Sequence, residues 1–476
     1  MFLALGLRLV NINQSLWLDE AIGAIVVKEM SYKQILTDFL RSDNHPPLYY
    51  LDLKGWTDIF GYSELALRFP SVVYGILTVY LTYLIAVRLS LAKEKYFPLI
   101  ALILMATSPF HIYYSQEARM YSMAAFLASL SFYSFLNING KKERLNWWYV
   151  FSISITALVF TDYPLVFLLP VFWIYGIYKR KDSIWWKKFI LSHVPVILLG
   201  LAWLPTFIVQ MGKGRWLMEV LPEWKKVAGG ASLKQTVLVW MKFVLGRISL
   251  ANKAYYYAMV VVASVPFIFS LTKTYFTKDK SKELWIWFCI PLILGFLASF
   301  YAPIFIYFRF LYVLPAFYLL IARGASLFKR KRTIIAITTA IVAVNLTGWG
   351  IYILDKNQQR ENWRQATFFV EGKIKENEIA IFEYPEPFAP YIWYRTKPFK
   401  SVGVTDSISA NKMETIERTE KTIEGKSGIY YFEYLRDLSD PERYVEDVLE
   451  KEGYMISEIF DFVGVGQIFY YTLDEK

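Results

Sequence analysis

Residues 97–136 read FPLIALILMATSPFHIYYSQEARMYSMAAFLASLSFYSFL. Two uncharged apolar runs, Phe97–Ser108 and Met120–Leu136, meet at a polar segment holding His111, Gln116, Glu117 and Arg119 among Tyr113, Tyr114 and Tyr121. Charges at the edge of an apolar layer are costly unless they are paired or used. The stretch therefore reads as two membrane helices joined by a short, chemically crowded turn.

The same alternation runs along the chain. After an apolar stub, Met1–Ile12, further spans fall at about Phe69–Leu91, Trp147–Phe160, Pro164–Tyr178, Phe189–Val209, Tyr255–Leu271, Leu284–Phe300, Ile306–Ala322 and Ile334–Leu354. Blocks of roughly 16–24 apolar residues cross a hydrocarbon core of about 30 Å. Counting the stub, the expectation is an all-α polytopic membrane domain of about eleven transmembrane helices. The stub is too short to span and is expected to be the second half of a truncated first helix. It lacks the basic start and small-residue cleavage site of a signal peptide.

Every second loop is basic: Lys93-Glu94-Lys95, Lys141-Lys142-Glu143-Arg144, Lys179-Arg180-Lys181 with Lys187-Lys188, Lys278 to Lys282, and Lys329-Arg330-Lys331-Arg332. Positively charged loops stay on the cytoplasmic side. The alternate loops are then expected outside: 13–67, 108–119, 161–163, 210–254 and 301–305, with everything after Asp355. The loop 210–254 is the exception, carrying eight basic residues on the outer side.

Composition supports the division. Of 476 residues, 55% are hydrophobic, against the 45–50% typical of soluble chains. The net charge of +11 hides a split: from Asp355 onward there are 16 basic and 24 acidic residues, net −8, and the remainder holds 36 against 17, net +19. A basic membrane part with an acidic tail argues against nucleic acid and for a bilayer or a lipid phosphate as partner. The single cysteine, Cys289, excludes an internal disulfide. The expected domains are 1–355, with its outer loop 13–67, and a small α/β extracytoplasmic domain, 356–476. In the tail, helical spacing covers Arg360–Glu376. Strands are expected at Glu378–Tyr384, Gly428–Tyr434, Tyr454–Phe462 and Gln467–Leu473. Asp440-Pro441-Glu442 is expected to open a helix running to Glu452, with Asp as cap and Pro in the first turn.

Candidate chemistry collects on the outer side. Asp19 and Glu20 are adjacent carboxylates among apolar neighbours, suited to general-base work on a hydroxyl. The bland alternative is an acidic first turn of a surface helix. Asn44-His45-Pro46-Pro47 makes a rigid turn presenting His45. Glu117 and Arg119, two apart, do not face each other on a helix, which leaves Arg119 for a lipid phosphate or for snorkelling in an aromatic belt. Arg309 lies one turn inside a span and needs an anion, with snorkelling again the alternative. Tyr163 and Gln116 are further candidate substrate contacts, and Asp162 reads as a turn residue. Metal is left undecided, with His45 and His111 taken as the outward histidines that could hold a divalent ion. No phosphate-cradling glycine loop and no zinc-protease motif is present.

Five segments in order resemble one superfamily: Leu16–Ala21, His45-Pro46-Pro47-Leu48-Tyr49, Leu67-Arg68-Phe69-Pro70-Ser71, Gln116-Glu117-Ala118-Arg119-Met120-Tyr121, and Arg309 followed by Tyr312 and Leu314-Pro315-Ala316. Over roughly residues 10–325 the chain resembles the GT-C glycosyltransferases that use polyprenyl-phosphate donors. These include the protein O-mannosyltransferases, the aminoarabinose transferases and lipopolysaccharide galacturonosyltransferase-like proteins. The resemblance implies that Asp19 is the general base and that Glu20 orients Asp19 or the acceptor. It places Glu117, Arg119 and Tyr121 near the donor phosphate and gives Arg309 a share in holding it. The implied partners are a polyprenyl-phosphate-linked sugar and an acceptor protein, lipid or glycan. The rivals are a lipid-linked sugar transporter or flippase, which would place ionisable groups near the midplane, and a polysaccharide ligase using a diphosphate carrier.

Overall fold

The computed structural model describes residues 1–90, 94–139, 145–221, 228–277, 281–383, 388–397 and 400–473. Lys93, the basic cluster Lys141–Arg144, Lys225, Lys226 and residues 278–280 of the expected loops lie outside them. The chain divides into two compact units. One comprises Met1–Ile12, Tyr32–Met211 and Ala228–Gln358; the other comprises Asn13–Ser31, Gly212–Val227 and Gln359–Lys476.

The first unit is helical. Among the described residues, six helices are long and apolar enough to cross a membrane: Glu64–Leu89, Tyr121–Ile138, Ser183–Val220, Lys253–Phe276, Tyr307–Ser326 and Lys331–Leu354. A seventh span counts if the bent pair Phe97–Thr107 and Pro109–Ser115 is taken together. The other expected spans are helices too, but Leu145–Val159, Tyr163–Tyr178 and Lys282–Ala298 have only 15 to 17 residues, short of the roughly 20 a straight crossing needs. The expected count of about eleven transmembrane helices, the first truncated, takes in these shorter helices; six of the described helices, or seven with the bent pair, are long enough for a straight crossing.

The breaks have causes in the sequence. Pro109 has no N–H to continue the Phe97–Thr107 ladder, so the chain turns by 56° and restarts, with Ser108 Oγ accepting from His111 N. The turn packs closely under Glu64–Leu89 because Gly75 faces it: a Cβ there would lie 2.3 Å from Ser115 Oγ and 3.1 Å from Arg8 Nε. Buried Arg8 fills the junction, donating to Ser115 Oγ (3.1 Å), Ala4 O (2.9 Å) and Ala106 O (3.2 Å), and its Nη2 meets His111 Nδ1 at 2.6 Å.

The second unit is a five-stranded sheet with helices. Its strands are β1 (Glu378–Phe382), β2 (Ser401–Gly403), β3 (Gly428–Phe432), β4 (Tyr454–Phe462) and β5 (Gly466–Leu473). The order is β2-β1-β3-β5-β4; the first three run parallel and β5 is antiparallel to β3 and β4. Strands β1 and β3 are buried throughout, and Ile379, Ile381, Ile429 and Tyr431 share a core with Val445, Leu449 and Phe469. The expected α/β tail is present, with two corrections. Strand β2, three residues long, has too little pattern to read from sequence. The Asp440-Pro441-Glu442 helix starts later, at Tyr444–Lys451, after Arg443 in a left-handed conformation (φ 60°). Asp440 still serves it, its Oδ2 accepting from Val445 N at 3.1 Å, while Pro441 stays outside the helix.

The segment 13–31 is tied to this sheet unit. Leu16 N donates to Tyr394 Oη (2.8 Å), Arg360 N to Gln14 Oε1 (2.9 Å) and Arg364 N to Ser15 Oγ (3.1 Å). Lys28 Nζ lies 5.1 Å from the centre of the Trp393 ring. The loop expected to carry a catalytic carboxylate is therefore anchored on the C-terminal sheet unit.

Candidate active site

In the first unit the polar turn 43–45 docks against the ends of neighbouring helices. Pro46 and Pro47 stiffen it, Leu48 N donates to Phe160 O (3.0 Å), and the Gln210 amide donates to Leu40 O (2.6 Å) and His45 O (3.0 Å). The imidazole thus has a fixed backbone. Its Nδ1 is 3.0 Å from Asp43 Oδ2 and its Nε2 is 3.5 Å from Arg119 Nη2. With Nδ1–H given to Asp43, Nε2 is left to accept from the guanidinium. The other arm of Arg119 donates to Tyr50 Oη at 3.4 Å.

Two more charges join this group. Buried Asp162, at the hairpin before Tyr163, lies in the fields of His45, Arg309 and Arg119. Desolvation pushes its carboxyl up, more than those three groups pull it down. For Asp43, burial also pushes up, but the charge and hydrogen bond of His45, with Arg119 behind, bring it below the usual carboxylate range. Arg309 Nη1 donates to Pro303 O (3.3 Å) at the start of the Tyr307–Val313 turn. His45, Arg119, Arg309, Asp43 and Asp162 thus form one electrostatic cluster, drawn from four separate stretches of chain.

The remaining candidates fall around it or elsewhere. Tyr121 is buried edge-on against Tyr114 (5.1 Å) and Phe308 (5.4 Å). Buried Glu117 acts electrostatically on Arg247 and Tyr114. Tyr163 donates to Gln210 Oε1 and accepts from Trp203 Nε1 (3.0 Å), which ties it to the residue holding His45. Gln116 is placed differently from a substrate contact: buried, its amide donates to Arg8 O (2.9 Å) and Val10 O (2.6 Å), closing the end of the Phe2–Leu9 helix. His111 is not outward. It is fully buried against Arg8, because the bend at Pro109 turns it into the helix packing. Arg119 also differs from the expectation of a bare cation, since His45 and Tyr50 hold it.

In the second unit Asp19 and Glu20 occupy the first turn of Leu18–Glu29, where unpaired backbone N–H groups favour negative charge. Glu20 is buried and Asp19 half-buried. Glu361 stands beside them. Its carboxylate accepts from Trp363 Nε1 (2.9 Å), from Tyr434 Oη (3.0 Å to each oxygen) and from the Leu18 N–H.

Sequence reasoning passed over Asp43, Tyr50 and Glu361, and read Asp162 as a turn. Asp43 carried a signal, standing two residues before His45. Asp162 carried a weaker one, as an acid in a hairpin between apolar spans. Glu361 carried none, since apart from Trp363 its partners Tyr434 and Leu18 lie 73 and more than 300 residues away in the chain.

Among the described residues, no three His, Cys, Asp or Glu side chains are grouped to hold a metal ion. At His45 a divalent ion fits poorly, because one ring nitrogen is given to Asp43 and the other faces the Arg119 guanidinium.

Residues 44–209 match the family described as dolichyl-phosphate-mannose-protein mannosyltransferase. This range includes His45, Arg119 and Asp162. The structure of ArnT from Cupriavidus metallidurans bound to undecaprenyl phosphate aligns over 99% of this chain and 97% of its own, with TM-score 0.58 at 11% identity. The archaeal oligosaccharyltransferase AglB from Archaeoglobus fulgidus, in complex with an inhibitory peptide and a dolichol-phosphate, aligns over 100% and 74%, with TM-score 0.52 at 13% identity. An uncharacterised protein of Aquifex aeolicus (strain VF5) is 25% identical over 285 residues; the match spans 58% of this chain and about half, 51%, of that relative. The chain shares the fold of these GT-C glycosyltransferases over nearly its whole length. It is a membrane protein with the helical GT-C architecture and a small C-terminal sheet unit.

Proposed function

We propose that this protein transfers a sugar from a polyprenyl-phosphate donor to an acceptor hydroxyl on the non-cytoplasmic face of the membrane, with inversion at the anomeric carbon. The observation that carries the reading is the Arg119 guanidinium, held between His45 and Tyr50, with Arg309 acting on the same buried Asp162. Two guanidinium groups in a poorly solvated site suit a phosphate monoester that gains charge as it leaves.

In this mechanism Asp19 takes the proton of the acceptor hydroxyl. The hydroxyl oxygen bonds to the anomeric carbon as the bond from that carbon to the phosphate oxygen breaks. The electron pair goes to the lipid phosphate, and Arg119 and Arg309 stabilise it. Glu20 orients Asp19, while Glu117 and Tyr121 complete the wall near the phosphate. The products are the glycosylated acceptor, the free lipid phosphate and a proton on Asp19. The matched family and the structural likeness to proteins bound to undecaprenyl phosphate and to a dolichol-phosphate favour this donor class.

The test uses membranes of a host lacking the gene, resupplied with full-length protein. The glycan or glycolipid whose mass signal disappears on deletion should return with the wild type and not with Asp19→Asn, while Asp19→Asn still binds polyprenyl phosphate. Arg119→Ala and Arg309→Ala should lose that binding. Retained turnover in Asp19→Asn removes it as the base. A deletion phenotype confined to unflipped lipid-linked sugar, with no missing glycoconjugate, favours the transporter reading.

A further inference from the structure

Nothing in the transfer chemistry assigns a task to Glu361, yet it stands where the sheet unit grips the helix that carries Asp19. Its side chain has little freedom. Trp363, fully buried and stacked on Phe432 (5.9 Å between rings, 11° between planes), donates from one side, and Tyr434 donates to both oxygens from another. Gly464, at φ +74°, closes over it: a Cβ there would lie 2.8 Å from Glu361 Cγ. Glu361 also accepts from the N–H of Leu18, the first residue of Leu18–Glu29 and the neighbour of Asp19.

We propose that Glu361 is the positioning residue for Asp19: by accepting from the Leu18 N–H it fixes the start of the helix and makes transfer depend on its own charge. The inference rests on the reading of Asp19 as the base. All three named partners are donors, so the ionised carboxylate satisfies them together. A protonated carboxyl turns one acceptor into a donor facing donors, and the hold on Leu18 loosens. Among the groups that act on Glu361, Asp19 from the helix and Tyr434 from the segment after β3 are titratable. Trp363 is neutral, and Gly464 brings no side chain. Burial first, and the negative charge of Asp19 after it, push the carboxyl up to about 7, although the bonds from Trp363, Tyr434 and Leu18 favour its ionised form. The grip therefore changes near neutral pH.

The experiment follows the rate of the deletion-dependent product against pH in membranes carrying full-length wild type, Glu361→Gln, Tyr434→Phe or Asp19→Asn. The wild-type rate should fall as pH drops through about 7. Tyr434→Phe removes a bond that favours the carboxylate, so this limb should move to higher pH. Glu361→Gln should lose the limb and run on the order of tenfold slower at pH 8, as a misplaced catalytic group does. Amide exchange at residues 18–21 of the full chain in nanodiscs should quicken in both Glu361→Gln and Tyr434→Phe. Wild-type profiles in both variants, with Asp19→Asn inactive, overturn the positioning role and leave the base in place. Turnover in Asp19→Asn overturns the base and the positioning role together. If Glu361→Gln does not fold, the direction of the Tyr434→Phe shift decides.

Discussion

Arg323 and Glu94 form a two-pronged ion pair, Nε to Oε1 and Nη2 to Oε2, both at 3.1 Å and both side chains buried. Glu94 precedes Phe97–Thr107 and Arg323 is near the end of Leu314–Ser326, so the pair clamps two helices far apart in sequence. A parallel fork of charged hydrogen bonds is the strong form of this contact. Removing one partner leaves the other charge buried and unpaired, which costs about 3–5 kcal/mol. Arg323→Ala should show that loss in denaturant unfolding of the full chain in micelles. The double change Arg323→Leu with Glu94→Leu should recover most of it.

Gly75 against Ser115 is a contact of the opposite kind, set by the lack of a side chain. An added Cβ would stand 2.3 Å from Ser115 Oγ and 2.9 Å from Ser115 Cβ, and the Arg8 guanidinium behind it allows little retreat. Overpacking of this sort costs about 1–3 kcal/mol. Gly75→Ala should lower the thermal midpoint, and Gly75→Ala with Ser115→Gly should restore part of it.

Arg119 offers a sharper test of the proposed phosphate site than its deletion does. Lysine keeps the positive charge but loses the planar fork that reaches Tyr50 and His45 at once. Arg119→Lys should weaken binding of polyprenyl phosphate by about tenfold, or about 1.4 kcal/mol, as read by titration of the protein in nanodiscs. The thermal midpoint should barely move. Unchanged affinity in Arg119→Lys would assign the fork to structure rather than to phosphate.

Sequence patterns carry what depends on neighbours and miss what depends on distance. The ten apolar runs after the stub each became a helix, because a continuous apolar run is a local property. Strand β4 came out at its expected bounds, Tyr454–Phe462. The bend at Pro109 was local too, but its consequence was not: that His111 would meet Arg8, more than 100 residues away, has no trace in either segment. The same holds for Gln116, whose polar chemistry suited a substrate as well as it suits the carbonyls of Arg8 and Val10. In the site, the segments around His45, Arg119 and Arg309 were legible by type and order. Asp43 and Asp162 gained meaning only once the fold set them in the fields of those groups.

Glu383 gives the sheet unit a pH-dependent stability whose sign can be worked out. It is fully buried at the end of β1, where the Tyr431 hydroxyl donates to it. Desolvation first, then the negative charges of Asp440 and Glu446, push its carboxyl up to about 8 from an ordinary 4.5, against the pull of Tyr431 and Arg436. Between those limits the folded protein keeps a proton that the unfolded chain has released. The unfolding free energy then falls as pH rises, by at most about 1.4 kcal/mol per pH unit from this group. The stability it contributes is complete below about 4.5 and lost as pH climbs through about 8. Glu383→Gln stays neutral and keeps an acceptor for Tyr431, so it should be more stable than wild type at pH 8.5 and nearly equal at pH 4.5. Chemical unfolding of the full chain in micelles, followed by the near-ultraviolet signal of Tyr431 and its aromatic neighbours, would read the slope. A difference between the two proteins that does not change across this range would mean that Glu383 is already ionised in the fold.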